Sequence, residues 1–142
     1  MATTPASDPT QLSARDLVAL YGKRALSPVE TVKATLARIE RMNPLVNAYC
    51  YLDAEGAVAA ARAAEGRWLA GTPLGLVDGV PLGVKDNIAV AGMPLRFGSK
   101  LTSTTPAAFD APVVARLREQ GAVPIARRRC PSLVGKRPAI AR

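Results

Sequence analysis

The chain has 142 residues, of which 49% are hydrophobic and 21% charged, enough for one domain with a buried core. It has no histidine, which excludes His-ligated metal sites and Ser–His or Cys–His nucleophile pairs; no metal and no cofactor are expected. The net charge of +8 is unevenly spread: residues 126–142 hold six basic side chains and no acid, leaving 13 basic against 11 acidic in residues 1–125.

Residues 1–12 read as a flexible leader. They lack a basic start and an apolar stretch, so no secretory signal is expected and the protein is placed in the cytoplasm. Cys50 and Cys130 are then expected as free thiols. No apolar run approaches the ~18 residues of a membrane span, so no membrane partner is expected.

Ser13 is placed to cap a helix over Ala14–Gly22. Ser27-Pro28-Val29-Glu30 is a capping box: the serine hydroxyl accepts from the N–H three residues on, and Glu30 reaches back to the Ser27 N–H. The helix it opens runs to about Met42, with Val29, Val32, Leu36 and Ile39 on one face, and Asn43-Pro44 is expected to end it. Val46–Leu52 reads as a strand. Asp53 caps an alanine-rich helix to about Leu69, and Gly71–Gly79 is a loop. Val80–Val84 is a short apolar strand running directly into Lys85-Asp86-Asn87. Leu95–Phe109 reads as a long loop, and Asp110 as the cap of a helix over Ala111–Gln120. Gly121 fits the helix end, and Ala122–Ile125 begins another strand. Helices and strands alternate, so the class is α/β.

Lys85 is the chemically notable residue. It stands at a strand end, where α/β proteins build sites, and a desolvated lysine can serve as a base. Spacing alone favours a surface lysine reaching water.

The segment from Leu76 to Pro94, Leu-Val-Asp-Gly-Val-Pro-Leu-Gly-Val-Lys-Asp-Asn-Ile-Ala-Val-Ala-Gly-Met-Pro, resembles the amidase signature family. So do Gly98-Ser99-Lys100, the stretch from Asp110 to Val123, and the helical Leu-Ser-Ala-Arg-Asp-Leu-Val and Ser-Pro-Val-Glu segments near the start. The resemblance spans about residues 11–125. It implies hydrolysis or transfer at amide C–N bonds, either as a free amidase acting on a small-molecule amide or as the A-type subunit of a tRNA-dependent amidotransferase. The second case implies a partner subunit, and a homo-oligomer is open in both. The family works through a Ser–cis-Ser–Lys triad without metal or cofactor, and Lys85 matches its lysine. The resemblance implies that this chain carries an incomplete amidase-signature fold over residues 13–125: N-terminal helices plus the first strands of a mixed sheet. An unfinished sheet exposes an edge, so weak stability or self-association is expected.

Both family serines lie in a Gly-Gly-Ser-Ser-Gly-Gly-Ser type of segment, and nothing here resembles it. Ser99, Ser103 and Ser132 sit in other contexts and receive no role, so the isolated chain is expected to be inactive. After Ile125 the family continues in the manner Gly-Lys-Thr-Thr-Met-Pro-Glu-Phe-Gly-Trp-Lys. Here Ala126 through Lys136 read Ala-Arg-Arg-Arg-Cys-Pro-Ser-Leu-Val-Gly-Lys. A single nucleotide string with its first G removed encodes the second from the first. Residues 126–142 are therefore expected to be a frameshifted, disordered basic tail. Two rival readings are a non-catalytic interaction piece and a basic-tailed nucleic-acid or membrane binder. The tail has no aromatic residue on which a base would stack, so no nucleic acid is expected as partner.

Overall fold

The computed structural model describes residues 8–129. In chain order these form a 3-10 turn at Pro9–Gln11, helix α1 (Ala14–Gly22), helix α2 (Pro28–Val46), strand β1 (Tyr49–Leu52), helix α3 (Ala54–Ala70), strand β2 (Pro81–Lys85), helix α4 (Pro112–Glu119) and strand β3 (Val123–Arg128). The three strands make one mixed sheet in the order β1-β3-β2, with β1 antiparallel and β2 parallel to β3. This is the α/β class and the partial mixed sheet expected from the sequence.

The local signals fold as read where their partners are close in sequence. Ser27 Oγ accepts from Glu30 N at 3.1 Å and Glu30 Oε2 accepts from Ser27 N at 2.8 Å, closing the capping box. Ser13 and Asp53 cap α1 and α3 through Asp16 N and Gly56 N. Within the segment expected as a leader, Asp8 caps the Pro9 turn, and Arg38 Nη1 donates to Thr10 Oγ1 at 2.6 Å.

Two expectations are corrected. Asn43-Pro44 does not end α2, which continues to Val46 and closes at Asn47 in the left-handed conformation, φ 49°. A proline in the last turn removes one helical hydrogen bond, and Asn43 bonds beyond it: its side-chain amide donates to Tyr49 O at 3.1 Å and its side-chain carbonyl accepts from Tyr49 N at 2.9 Å. β1 accordingly starts at Tyr49, not Val46. Asp110 does not cap α4 either; Ala111 is the N-cap and offers no side-chain bond. The Asp110 carboxylate instead accepts from Ala91 N at 2.7 Å and pairs with Arg118 at 3.1 Å, tying the long loop to the helix.

Two cores sandwich the sheet. On one side Val32, Leu36 and Ile39 of α2 and Ala57 and Ala61 of α3 pack on Val123, Ile125 and Ala126 of β3. The buried alanines of α3 let the two helices approach closely. On the other side Val84, Val90, Met93 and Val114 cluster, with Tyr51, Leu82 and Ile88 against them. β3 is buried on both faces and runs to Arg128, across the boundary expected after Ile125.

Candidate functional site

Lys85 is the last residue of β2, at the carboxyl end of the parallel pair, in register with Arg128 of β3. Its side chain is exposed, and among the described residues its ammonium has no ion-pair partner. The strand stops there because the Lys85 carbonyl accepts from Ile88 N at 3.0 Å, which turns the chain.

Asp86, next in sequence, is 1% exposed. Its N–H donates to Arg128 O at 2.9 Å and its carbonyl accepts from Phe97 N at 3.0 Å. Its carboxylate accepts from Arg96 N at 3.1 Å and Gly98 N at 3.0 Å. Every polar group of this residue is thus committed, to β3 on one side and to the Arg96–Gly98 turn on the other. Phe97 (φ 53°) and Gly98 (φ 69°) are both left-handed, a conformation that costs a bulky residue and is held by these bonds.

Arg127, read from the sequence as a tail cation, lies fully buried against Ile88 and Asp86. Ile125 is an extra residue opposite β2, since Leu82 pairs with Pro124 and Gly83 with Ala126. The bulge shifts the alternation of β3. Arg127 Nη1 donates to Ile88 O at 2.5 Å, and Nη2 lies 3.6 Å from Asp86 Oδ1. Its Nε and Nη2 have no hydrogen-bond partner among the described residues.

A hollow of about 140 Å³ opens over Asp86, lined by Cys50, Arg96, Gly98, Ser99, Lys100 and Arg129. A larger one, about 470 Å³, lies at the opposite end of β2 between the Pro9 turn, α1 and α2, away from the Lys85 end. Cys50 is a free thiol; burial, and then the Asp86 charge, push its pKa up. Cys130 lies outside the described residues.

The serines do not gather at Lys85. Ser99 Oγ accepts from Leu101 N at 3.1 Å, and Ser103 Oγ donates to Thr105 Oγ1 at 2.8 Å, each within its own loop. Ser132 lies outside the described residues. No group of three potential metal ligands occurs among the described residues, and no helix among them is long and apolar enough to cross a membrane.

The sequence singles out Lys85 and places it at a strand end, where the structure has it; it does not single out Asp86 or Arg127. Asp86 had one available signal, its place beside Lys85 in an apolar strand's exit.

The Amidase family model matches residues 30–134, most of the chain. The chain belongs to the amidase family. It is 41% identical over 117 residues to a glutamyl-tRNA(Gln) amidotransferase subunit of Acidothermus cellulolyticus, covering 82% of this chain and 23% of that protein. The native peptide amidase of Stenotrophomonas maltophilia superposes with a TM-score of 0.78 at 29% identity, over 87% of this chain and 25% of the other. A bacterial aryl acylamidase of the amidase signature family superposes with a TM-score of 0.75 at 27% identity, over 85% and 26%. The chain spans about a quarter of the length of these amidase-family relatives.

Proposed function

We propose that this chain is the N-terminal part of an amide C–N hydrolase, in which Lys85 is the lysine of a Ser–cis-Ser–Lys triad. The observation that carries the reading is the place of Lys85: exposed at the carboxyl end of a parallel strand, inside the segment that matches the family. A neutral lysine there takes the proton that a bridging serine relays from the attacking serine, and returns it to the leaving amine. Both serines are absent from the 142 residues, so the isolated chain does not turn over amides.

The tail belongs to the same proposal. A one-nucleotide shift after Ile125 accounts for eleven consecutive residues, and Arg127 supports it: a fully buried guanidinium whose Nε and Nη2 have no hydrogen-bond partner among the described residues is an expensive residue for a central strand. On this reading the cationic tail has no selected role. The working enzyme is cytoplasmic.

The test has two arms. The gene is resequenced from the Ile125 codon, and the purified chain is assayed for amine or ammonia release from simple amides. The chain as given is expected to be inactive. A product extended through the corrected frame is expected to hydrolyse amides and to lose ~10³-fold or more with Lys85→Ala. Turnover by the isolated chain, or an extended product indifferent to Lys85→Ala, refutes the assignment.

The 41% identity to an amidotransferase subunit favours a second arrangement, in which the same chemistry is performed beside a partner subunit. Co-purification of the extended product with such a partner separates this from a free amidase.

A further inference from the structure

We propose that the hollow over Asp86 is a binding site for a small phosphate-type oxyanion, held by Arg96, Ser99 and Lys100 of the loop after β2 and by Arg129 just past β3. The inference needs neither the catalytic reading of Lys85 nor the frameshift, since three of its four groups precede Ile125.

The topology sets the place. The hollow lies where the carboxyl ends of β2 and β3 meet the start of β1, which contributes Cys50 to its wall. The carboxyl ends of parallel strands are where α/β sheets accept ligands. A volume of about 140 Å³ suits one small group, well short of the ~300 Å³ at which pockets take drug-sized molecules.

The charges set the sign. Arg96, Lys100 and Arg129 all line the hollow, and among the described residues none of them has an ion-pair partner. The one acid in the lining, Asp86, is already committed: its carboxylate accepts from Arg96 N and Gly98 N, and the buried Arg127 guanidinium lies 3.6 Å away. Asp86 and Arg127 cancel in charge, which leaves the three lining cations uncompensated. They repel one another, and an anion set between them turns that repulsion into attraction. Ser99 adds a directed donor. Its Oγ accepts from Leu101 N at 3.1 Å, and its O–H has no acceptor among the described residues. The two turn amides are spent on Asp86, so recognition falls to side chains, and a doubly charged phosphate is held more tightly than a singly charged carboxylate.

Cys50 reports on the site, because its free thiol lines the same hollow. The full chain is alkylated with iodoacetamide at a fixed, mildly alkaline pH and constant ionic strength, in inorganic phosphate, acetate or chloride, and the Cys50 peptide is followed by mass spectrometry. Phosphate is expected to slow Cys50 saturably, and acetate to require higher concentrations. Arg96→Gln and Lys100→Gln are each expected to raise the half-protecting phosphate concentration ~2–5-fold, the worth of one exposed charge contact. Lys33→Gln, exposed on α2, is expected to change nothing. The hydrogen bonds of Arg96 run through its backbone, so its variant is expected to keep the circular-dichroism signal of the parent. Should it lose that signal, Lys100→Gln decides by the same criteria. The proposal is overturned if phosphate gives no more protection than chloride, if acetate protects as well as phosphate, or if protection is unchanged in the folded variants. Because the readout is alkylation and not turnover, an active Lys85→Ala enzyme sinks the catalytic reading and leaves this one standing.

Discussion

The ion pair between Arg67 and Asp78 gives a sharp test of how burial apportions electrostatic energy. The pair is bidentate: Arg67 Nε donates to Asp78 Oδ2 at 2.9 Å and Nη2 donates to Oδ1 at 2.5 Å. Leu74 N also donates to Oδ2, at 2.9 Å, so the carboxylate anchors the whole loop between α3 and β2. The partners are not equivalent, since the Asp78 side chain is 0% exposed and that of Arg67 is 27% exposed. Removing the arginine strands a carboxylate that cannot reach water. Removing the carboxylate leaves an arginine that can swing into solvent. Arg67→Met is therefore expected to cost about 3–5 kcal/mol, the range for an uncompensated buried charge. Asp78→Asn keeps an acceptor for Leu74 N and is expected to cost about 1–3 kcal/mol. The difference, about 2 kcal/mol, corresponds to a urea midpoint separation of about 1 M with an ordinary slope. Equilibrium urea unfolding at neutral pH, with the double mutant completing the cycle, measures it. Equal costs, or a larger cost for Asp78→Asn, would refute the argument.

Four further outcomes follow from single groups. At Gly121 (φ 87°) an added Cβ would collide with the Asp78 carboxylate and backbone, so Gly121→Ala is expected to lose about 3 kcal/mol in urea unfolding. Gly66, inside α3 with open space around it, is the control, and Gly66→Ala is expected to gain about 0.5–1 kcal/mol. Burial pushes the Tyr21 phenol from 10.0 up to about 12, so the unfolded chain loses this proton first. The stability it contributes is complete below pH 10.0 and is lost as pH rises toward about 12; urea midpoints are expected to fall less steeply over that range in Tyr21→Phe, and parallel slopes would count against it. Cys50, its thiol pKa raised above 9.0 chiefly by burial, is expected to alkylate slower at neutral pH than a free thiol and faster as pH rises, followed by peptide-resolved mass spectrometry.

Legibility from the sequence followed the distance between partners. The capping box at Ser27 and Glu30 was readable because both groups sit within one turn and the rule is local. Lys85 was readable because it terminates an apolar strand inside a long distinctive segment. Asp78 and Asp86 were not, because their meaning lies in what they meet: Arg67, eleven residues back, and the amides of Arg96 and Gly98, ten and twelve residues on. Nothing in a 3.6- or 2-residue period reports such encounters. Asp110 shows the converse error. A local rule assigned it to the helix beside it, and a loop amide at Ala91 took its carboxylate instead.

Arg127 shows where side-chain patterning and backbone bonding part company. A strand covered on both faces reads as a continuous apolar run, and that run ends at Ala126; the three arginines that follow look like a solvated tail. Backbone pairing obeys a different constraint. β2 continues to Lys85, and its last residues pair with Arg127 and Arg128, so β3 extends as far as its parallel partner requires. The bulge at Ile125 then places the Arg127 guanidinium beside Ile88 and Asp86, and among the described residues Nε and Nη2 find no hydrogen-bond partner. Asp86 takes two bonds from backbone amides, which no change at position 127 removes. The turn beside Lys85 is in this way held by the Asp86 carboxylate and carbonyl, while Asp86 itself is tied to β3 through the Arg128 carbonyl.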